Sequence, residues 1–159
     1  MNSVTSACFV TKQHQKIDSI EKFIHWTPSI HKLLTNLPKA EDNHTPEQML
    51  DVIARNLFNS EFGFWILQKD FEAVGFVAVF IARDVYGSIF GEVWIVSVLP
   101  GAKLKQFLYG VIQPWFQSHK VKFVGALDGV KSPAKDRWLK QYGMKPECVV
   151  YKKELSYGR

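Results

Sequence analysis

The chain has 159 residues, 47% of them hydrophobic and 22% charged, a composition that excludes disorder and fits one domain able to bury about 70% of its unfolded surface without disulfide staples. The net charge of +5 is uneven, because residues 1–60 hold six Lys/Arg against six Asp/Glu while residues 119–159 hold ten against four. That basic end could attract phosphates, nucleic acid or an acidic partner, or could simply solvate a helix face and a sheet edge. No recognition motif accompanies it, so nucleic acid is not expected as a partner.

Cys8 and Cys148 have no C-x-x-C partner, and the histidines at 14, 25, 31, 44 and 119 fall in no ligand spacing; neither a disulfide framework nor a metal site is expected. The first ten residues lack a basic n-region and a long apolar h-region, and no 18-residue apolar run occurs, so a soluble, cytoplasmic protein with no membrane contact is expected.

Residues 1–17 are polar apart from Ala7 to Val10, a possible edge strand on an otherwise flexible N-terminus. From Asp18 the pattern turns helical. Asp18 and Glu21 have capping-box spacing, and Ile20, Phe23, Ile24 and Trp26 supply a short apolar face. Thr27-Pro28 reads as the start of a second helix, with Thr as N-cap, Pro at the first position and Ile30, Leu33 and Leu34 continuing the stripe. After a polar loop over residues 38–44, Thr45-Pro46-Glu47-Gln48 opens a helix carrying Leu50, Ile53, Ala54, Leu57 and Phe58.

Three strand-like runs follow: Phe64 to Leu67, the nearly continuous apolar run Ala73 to Ala82, and Gly91 to Val98. A run with no polar face is expected to be covered on both sides. Lys69-Asp70 and Asp84 to Ser88 have the composition of hairpin connections, which makes the three strands antiparallel neighbours. The aromatic residues Phe62, Trp65 and Tyr86 are candidates for a partner surface.

The last of these strands feeds, through Leu99-Pro100-Gly101, a helix with Leu104, Phe107, Leu108, Val111, Ile112, Trp115 and Phe116 on one face. A strand ending at a helix N-terminus is where α/β proteins hold phosphates, because the first helical N–H groups lack internal partners and the dipole is positive there. Gly110 and Pro114 within the helix suggest a kink and close packing. Lys122 to Ala126 then reads as a short buried strand parallel to the one before the helix, by a right-handed crossover. Ser132-Pro133 opens a last helix with Trp138, Leu139 and Tyr142, closed by Gly143 in the left-handed region, and Cys148 to Leu155 is a final strand. Asp128 and Ser132 lie in the loop after the fifth strand, where a turn and an N-cap explain them.

N-terminal helices, an antiparallel meander and then βαβαβ describe a single α/β domain over residues 1–159, with a mixed sheet and helices on both faces. This order resembles the GNAT (Gcn5-related N-acetyltransferase) family. Val96-Ser97-Val98-Leu99-Pro100 matches the family's L-x-V-x-P strand end. In the loop that follows, Lys103 stands where the family has Arg or Gln, and Gln106 and Leu108 stand at its two glycine positions. Glycine lets backbone amides approach a pyrophosphate without an intervening Cβ, so Gln106 and Leu108 are expected to crowd that approach. On the last helix Leu139 occupies the position of the family's general-acid Tyr, and Tyr142 points elsewhere on the helix. The run Arg137 to Gly143 is similar to the GNAT-like virion proteins of tailed bacteriophages.

The resemblance implies two alternatives. In the first, the chain is a GNAT-fold protein that requires no cofactor and works as a structural or assembly module, virion-associated, with protein partners. In the second, it is an acetyl-CoA-dependent N-acetyltransferase acting on a small-molecule amine. Glu92 is then the general base. Val96 and Val98 hold the pantetheine arm through their backbones, and Lys103, Lys105 and Gln106 lie at the pyrophosphate. The two lysines oppose the helix dipole, which favours an anionic ligand beside them.

Overall fold

A computed structural model describes residues 13–37 and 44–125, together with Arg137, Lys140, Gln141, Gly143 and Met144. The expected strands at residues 7–10 and 148–155, both cysteines, Asp128, Ser132, Trp138, Leu139 and Tyr142 lie outside the described residues.

The elements run β1 (His14–Lys16), α1 (Ile20–Thr35), α2 (Pro46–Asn56), β2 (Phe62–Lys69), β3 (Glu72–Arg83), β4 (Ile89–Val98), α3 (Leu104–Phe107), a π turn (Leu108–Ile112), α4 (Gln113–Ser118) and β5 (Val124–Gly125). The five strands form one sheet in sequence order. β1 to β4 pair antiparallel, and β5 joins β4 in parallel.

Alternation along the strands divides the core in two. Phe64, Ile66, Phe76 and Ala78 face α1 and α2, where they meet Phe23, Trp26, Ile30, Leu33 and Ile53. Trp65, Leu67, Val77, Val79 and Val93 face Leu104, Phe107, Leu108, Ile112 and Phe116. β3 is therefore covered on both sides, as its unbroken apolar run requires. Phe62 and Trp65 are core residues at 4% and 3% exposure, which removes them as partner-surface candidates, whereas Tyr86 stands 91% exposed at the β3–β4 turn. Lys16 sets its ammonium over the rings of Trp65 and Trp115, at 5.7 and 6.0 Å from their centroids, and so fastens β1 to α4.

Residues 20–35 form one helix, not two. Pro28 leaves the Ile24 carbonyl without its helical donor, but Ile24 is 65% exposed, so water can serve there; Thr27 Oγ1 meanwhile donates to the Phe23 carbonyl at 2.8 Å. The N-cap is Ser19, which accepts from the Lys22 N–H, one residue later than expected. Because the helix is continuous, Phe23 and Trp26 are buried while Ile20 and Ile24 face solvent. At α2 the expected start holds: Thr45 and Gln48 form a reciprocal capping box with Pro46 in the first turn. Phe58 extends past the end of that helix and is 77% exposed.

α3, the π turn and α4 follow one another without a break, and all seven expected apolar positions pack into the second core. The Gln113 N–H reaches back five residues to the Leu108 carbonyl, immediately before Pro114, which has no N–H to give. Gly110 faces open space, so close packing is not its role. The described part of β5 is edge-like rather than buried, with Phe123 just before it 76% exposed. Arg137, Lys140 and Gln141 are helical, and Gly143 follows at φ +81°, donating to the Lys140 carbonyl at 3.0 Å.

Candidate active site

The β2–β3 hairpin, the start of β1 and the loop into α3 enclose a groove of about 760 Å³. Asp70 and Phe71 form its rim at φ 50° and 65°, the two positive angles of a tight hairpin turn matched to strand twist. The connection is thus Asp70-Phe71, one residue later than the composition suggests. Phe71 is an uncommon occupant of that conformation and is 80% exposed over the groove.

Lys103 and Gln106 both line the groove, whereas Lys105 is exposed outside it. Lys103 is the N-cap of α3 and makes no side-chain cap bond, so the first N–H groups of that helix are left for an external acceptor. Leu108 does not crowd them. It is fully buried among Trp65, Val77, Phe107 and their neighbours, and of the two large residues at the family's glycine positions only Gln106 faces the groove. The residues at this corner therefore fit an anionic group, with Lys103 supplying charge and the α3 amides supplying donors.

Val96 and Val98 are oriented by an irregularity that their identity does not reveal. Gly91 donates its N–H to Phe123 O on the β5 side at 2.9 Å, and Leu99 donates to Val74 O on the β3 side at 2.7 Å. Along an uninterrupted strand, residues separated by an even number send their N–H groups the same way. One residue must therefore be inserted between them. The register places the insertion at Trp94, since Val79 faces Val93 while Ala78 faces Ile95. Side chains agree: Val93 and Val96, three apart, both pack toward α3 and α4. Beyond the bulge, the N–H groups of Val96 and Val98 point to the edge of β4 that faces away from β3.

Glu92 precedes the bulge and lies on the opposite face of the sheet. It is half-buried and pairs with Phe80 on β3 and with Gly125 on β5, and among the described residues its side chain makes no hydrogen bond or ion pair. The structure thus distributes the expected residues along one strand and its exit: Glu92 at mid-sheet, Val96 and Val98 past the bulge, Lys103 and Gln106 in the groove. The bulge was not foreseen, and no residue type in β4 marks it: Trp94 shares the strand with Phe90 and Glu92 as well as with small and β-branched residues. Among the described residues no three His, Cys, Asp or Glu side chains group as metal ligands, and no helix is long and apolar enough to cross a membrane.

This architecture is the GNAT acetyltransferase fold. The aminoglycoside 6'-N-acetyltransferase AAC(6')-Ih from Acinetobacter baumannii superimposes with a TM-score of 0.67 at 16% identity, over 91% of this chain and 98% of that one. The aminoglycoside N-acetyltransferase AAC(6')-Iy in complex with CoA gives 0.65 at 18% identity, over 89% and 93%. A transcriptional regulator from Bacillus halodurans C-125 also gives 0.65, at 12% identity over 89% and 99%. No protein-family model matches the sequence, and no curated protein matches it significantly. At these identities the likeness speaks for the fold.

Proposed function

We propose that the protein is an N-acetyltransferase that takes its acetyl group from acetyl-CoA and delivers it to an amine. The observation that carries this reading is the bulge at Trp94, which turns the Val96 and Val98 amides to the outer edge of β4 while Glu92 stays on the opposite face. An extended arm carrying amide groups could lie along that edge, with its phosphate end at Lys103 and the uncapped start of α3. Leu108, which would otherwise argue against a phosphate there, is turned into the core. Acetyl-CoA supplies an activated thioester; Glu92 holds the amine and accepts the proton that an ammonium must lose before its nitrogen can react. The balance is an ammonium ion and acetyl-CoA giving an amide, the free thiol and one proton.

The second reading is a non-catalytic module of the same fold, virion-associated or part of another assembly. Its support is Leu139 at the position where the family carries its acidic Tyr, and the fold accommodates it equally well. Calorimetry with acetyl-CoA separates the two. Micromolar binding that weakens when Lys103 is replaced by Glu is expected, and absence of heat at millimolar ligand would remove the enzyme reading. Cross-linking within a native particle would then be the measurement for the module.

A further inference from the structure

The most exposed large apolar side chains among the described residues are Phe58, Phe71, Val85, Tyr86 and Phe123, each at least 76% exposed. All but Phe71 sit at one end of the sheet. Phe58 lies between α2 and β2, Val85 and Tyr86 in the β3–β4 turn, and Phe123 just before β5. Strand pairing sets these three connections side by side: Phe62 faces Phe80, Arg83 faces Ile89, and Gly91 faces Val124. Printed bonds then fasten them to one another. His119 Nε2 lies 3.1 Å from the Ser60 carbonyl, Arg83 pairs with Glu61 at 2.6 Å, and Gly91 donates to the Phe123 carbonyl at 2.9 Å. Within the turn, the Asp84 carboxylate accepts from the Tyr86 and Ser88 amides.

Apolar side chains gathered at one end and held in water by an ordered scaffold mark a surface that meets a partner. The charge at this end is positive. Lys120 and Lys122, close to Phe123 in the chain, are exposed and enter no ion pair among the described residues, whereas Arg83 is neutralised by Glu61. Two copies meeting here would bring like charges together. None of the four apolar residues lines the groove; they are projecting tips. A fluid surface closes around such tips, where a folded partner would have to supply a matching pocket for each.

We propose that this end of the sheet docks on an anionic lipid surface. Phe58, Val85, Tyr86 and Phe123 enter the boundary between headgroups and acyl chains, and Lys120 and Lys122 meet the lipid phosphates. A peripheral contact of this kind needs no spanning segment. Its side chains come from three separate connections, so no apolar run in the sequence announces it. The contact does not rest on the acetyltransferase reading, because Lys103 and the groove lie at the opposite end of the strands, beside the β2–β3 hairpin.

Co-sedimentation of the full chain with sucrose-loaded vesicles tests this. Vesicles of equal parts phosphatidylcholine and phosphatidylglycerol are expected to carry the protein down, and pure phosphatidylcholine to bind it at least about tenfold more weakly. Added salt should weaken the contact. Lys120→Gln/Lys122→Gln should lower binding by about twentyfold, at roughly fivefold per lysine, and Val85→Ser/Tyr86→Ser by about tenfold or more. Ile24→Ser, which removes an exposed apolar side chain from α1, should leave binding unchanged. Thermal melting checks that the variants fold. No binding to either vesicle, equal binding to both, or unchanged binding in folded Val85→Ser/Tyr86→Ser would overturn the proposal. Self-association without lipid that the same double substitution abolishes would also overturn it, and would assign this end to a second copy of the chain.

Discussion

Replacing Gly91 by alanine tests how the helix after β4 sits on the sheet, and therefore where the groove and the strand edge lie. A Cβ at Gly91 would be 2.4 Å from Phe116 Cε1, 2.6 Å from Cδ1 and 2.9 Å from Cζ. Carbon atoms in good contact are about 3.5–4.0 Å apart, so the shortfall is about 1 Å. Phe116 has no room to swing aside: it is 2% exposed, and the Trp115 ring lies 5.3 Å away. Either α4 lifts or the ring leaves its rotamer, and overpacking of this kind costs about 1–3 kcal/mol. For a chain of this length that lowers the melting temperature by roughly 2–12 °C. Differential scanning fluorimetry reads the single change. The double variant Gly91→Ala/Phe116→Leu adds a second reading, because the new methyl then occupies space the ring has vacated. Its destabilisation should fall short of the sum of the single effects by about 0.5 kcal/mol or more. An unchanged melting temperature in Gly91→Ala, or strict additivity in the double variant, would refute the docking of α4 on β4.

Ser97 is the one buried polar side chain among the described residues, and its hydroxyl donates to the Leu33 carbonyl at 3.2 Å. Leu37 turns its own N–H to Leu34 instead, so Ser97→Ala leaves the Leu33 carbonyl unpartnered; a loss of about 1–3 kcal/mol in urea unfolding is expected, and no loss would mean water has taken the place of the hydroxyl. Leu108→Ala should cost about 2–5 kcal/mol as a core cavity without tightening acetyl-CoA. Gln106→Gly should cost only about 1 kcal/mol and is the change that opens the groove, which paired unfolding and calorimetry would distinguish. Three carboxyls are held below their ordinary range: Asp84 by the Ser88 and Tyr86 amides at 2.8 and 2.9 Å, Asp18 by Lys22, and Glu47 by His31. Because the folded values are depressed, this contribution is present above the unfolded values near 4 and is lost as pH falls through the folded ones. Stability should accordingly decline below about pH 4, less steeply in Asp84→Ala, as acid titration followed by circular dichroism would record.

Local patterns carried most of the fold. The capping box at Thr45 and Gln48, the stripe from Leu104 to Phe116 and the unbroken apolar run of β3 each state their structure within a dozen residues, because helix period and strand burial are properties of the segment itself. What eluded the sequence depends on distant parts of the chain. Pro28 reads as a helix start, since nothing nearby shows that its missing hydrogen bond falls on the solvent side at Ile24. Phe62 and Trp65 read as surface candidates because the residues that cover them, Phe80 in one case and Phe107 and Trp115 in the other, come many positions later.

The candidate site could be read from the sequence as residue types but not as directions. Aligned by spacing alone, Gln106 and Leu108 look equivalent, two bulky side chains where a phosphate needs bare backbone. On the helix they are two positions apart, roughly 200° around the axis, so they cannot both face the groove: Gln106 does, and Leu108 falls into the core. The same reasoning applies to β4 in reverse. Simple alternation puts Glu92, Val96 and Val98 on one face and would set the carboxylate against the helix that follows. The extra residue at Trp94 breaks that parity, leaving Glu92 with Phe80 on the α1 side and sending Val96 and Val98 to the other. A base and a cofactor arm must approach the reacting centre from different directions to act on it together. On the proposed acetyltransferase reading, one inserted residue lets a single strand serve both, and this is why that proposal rests on the bulge more than on any side chain in the loop beyond it.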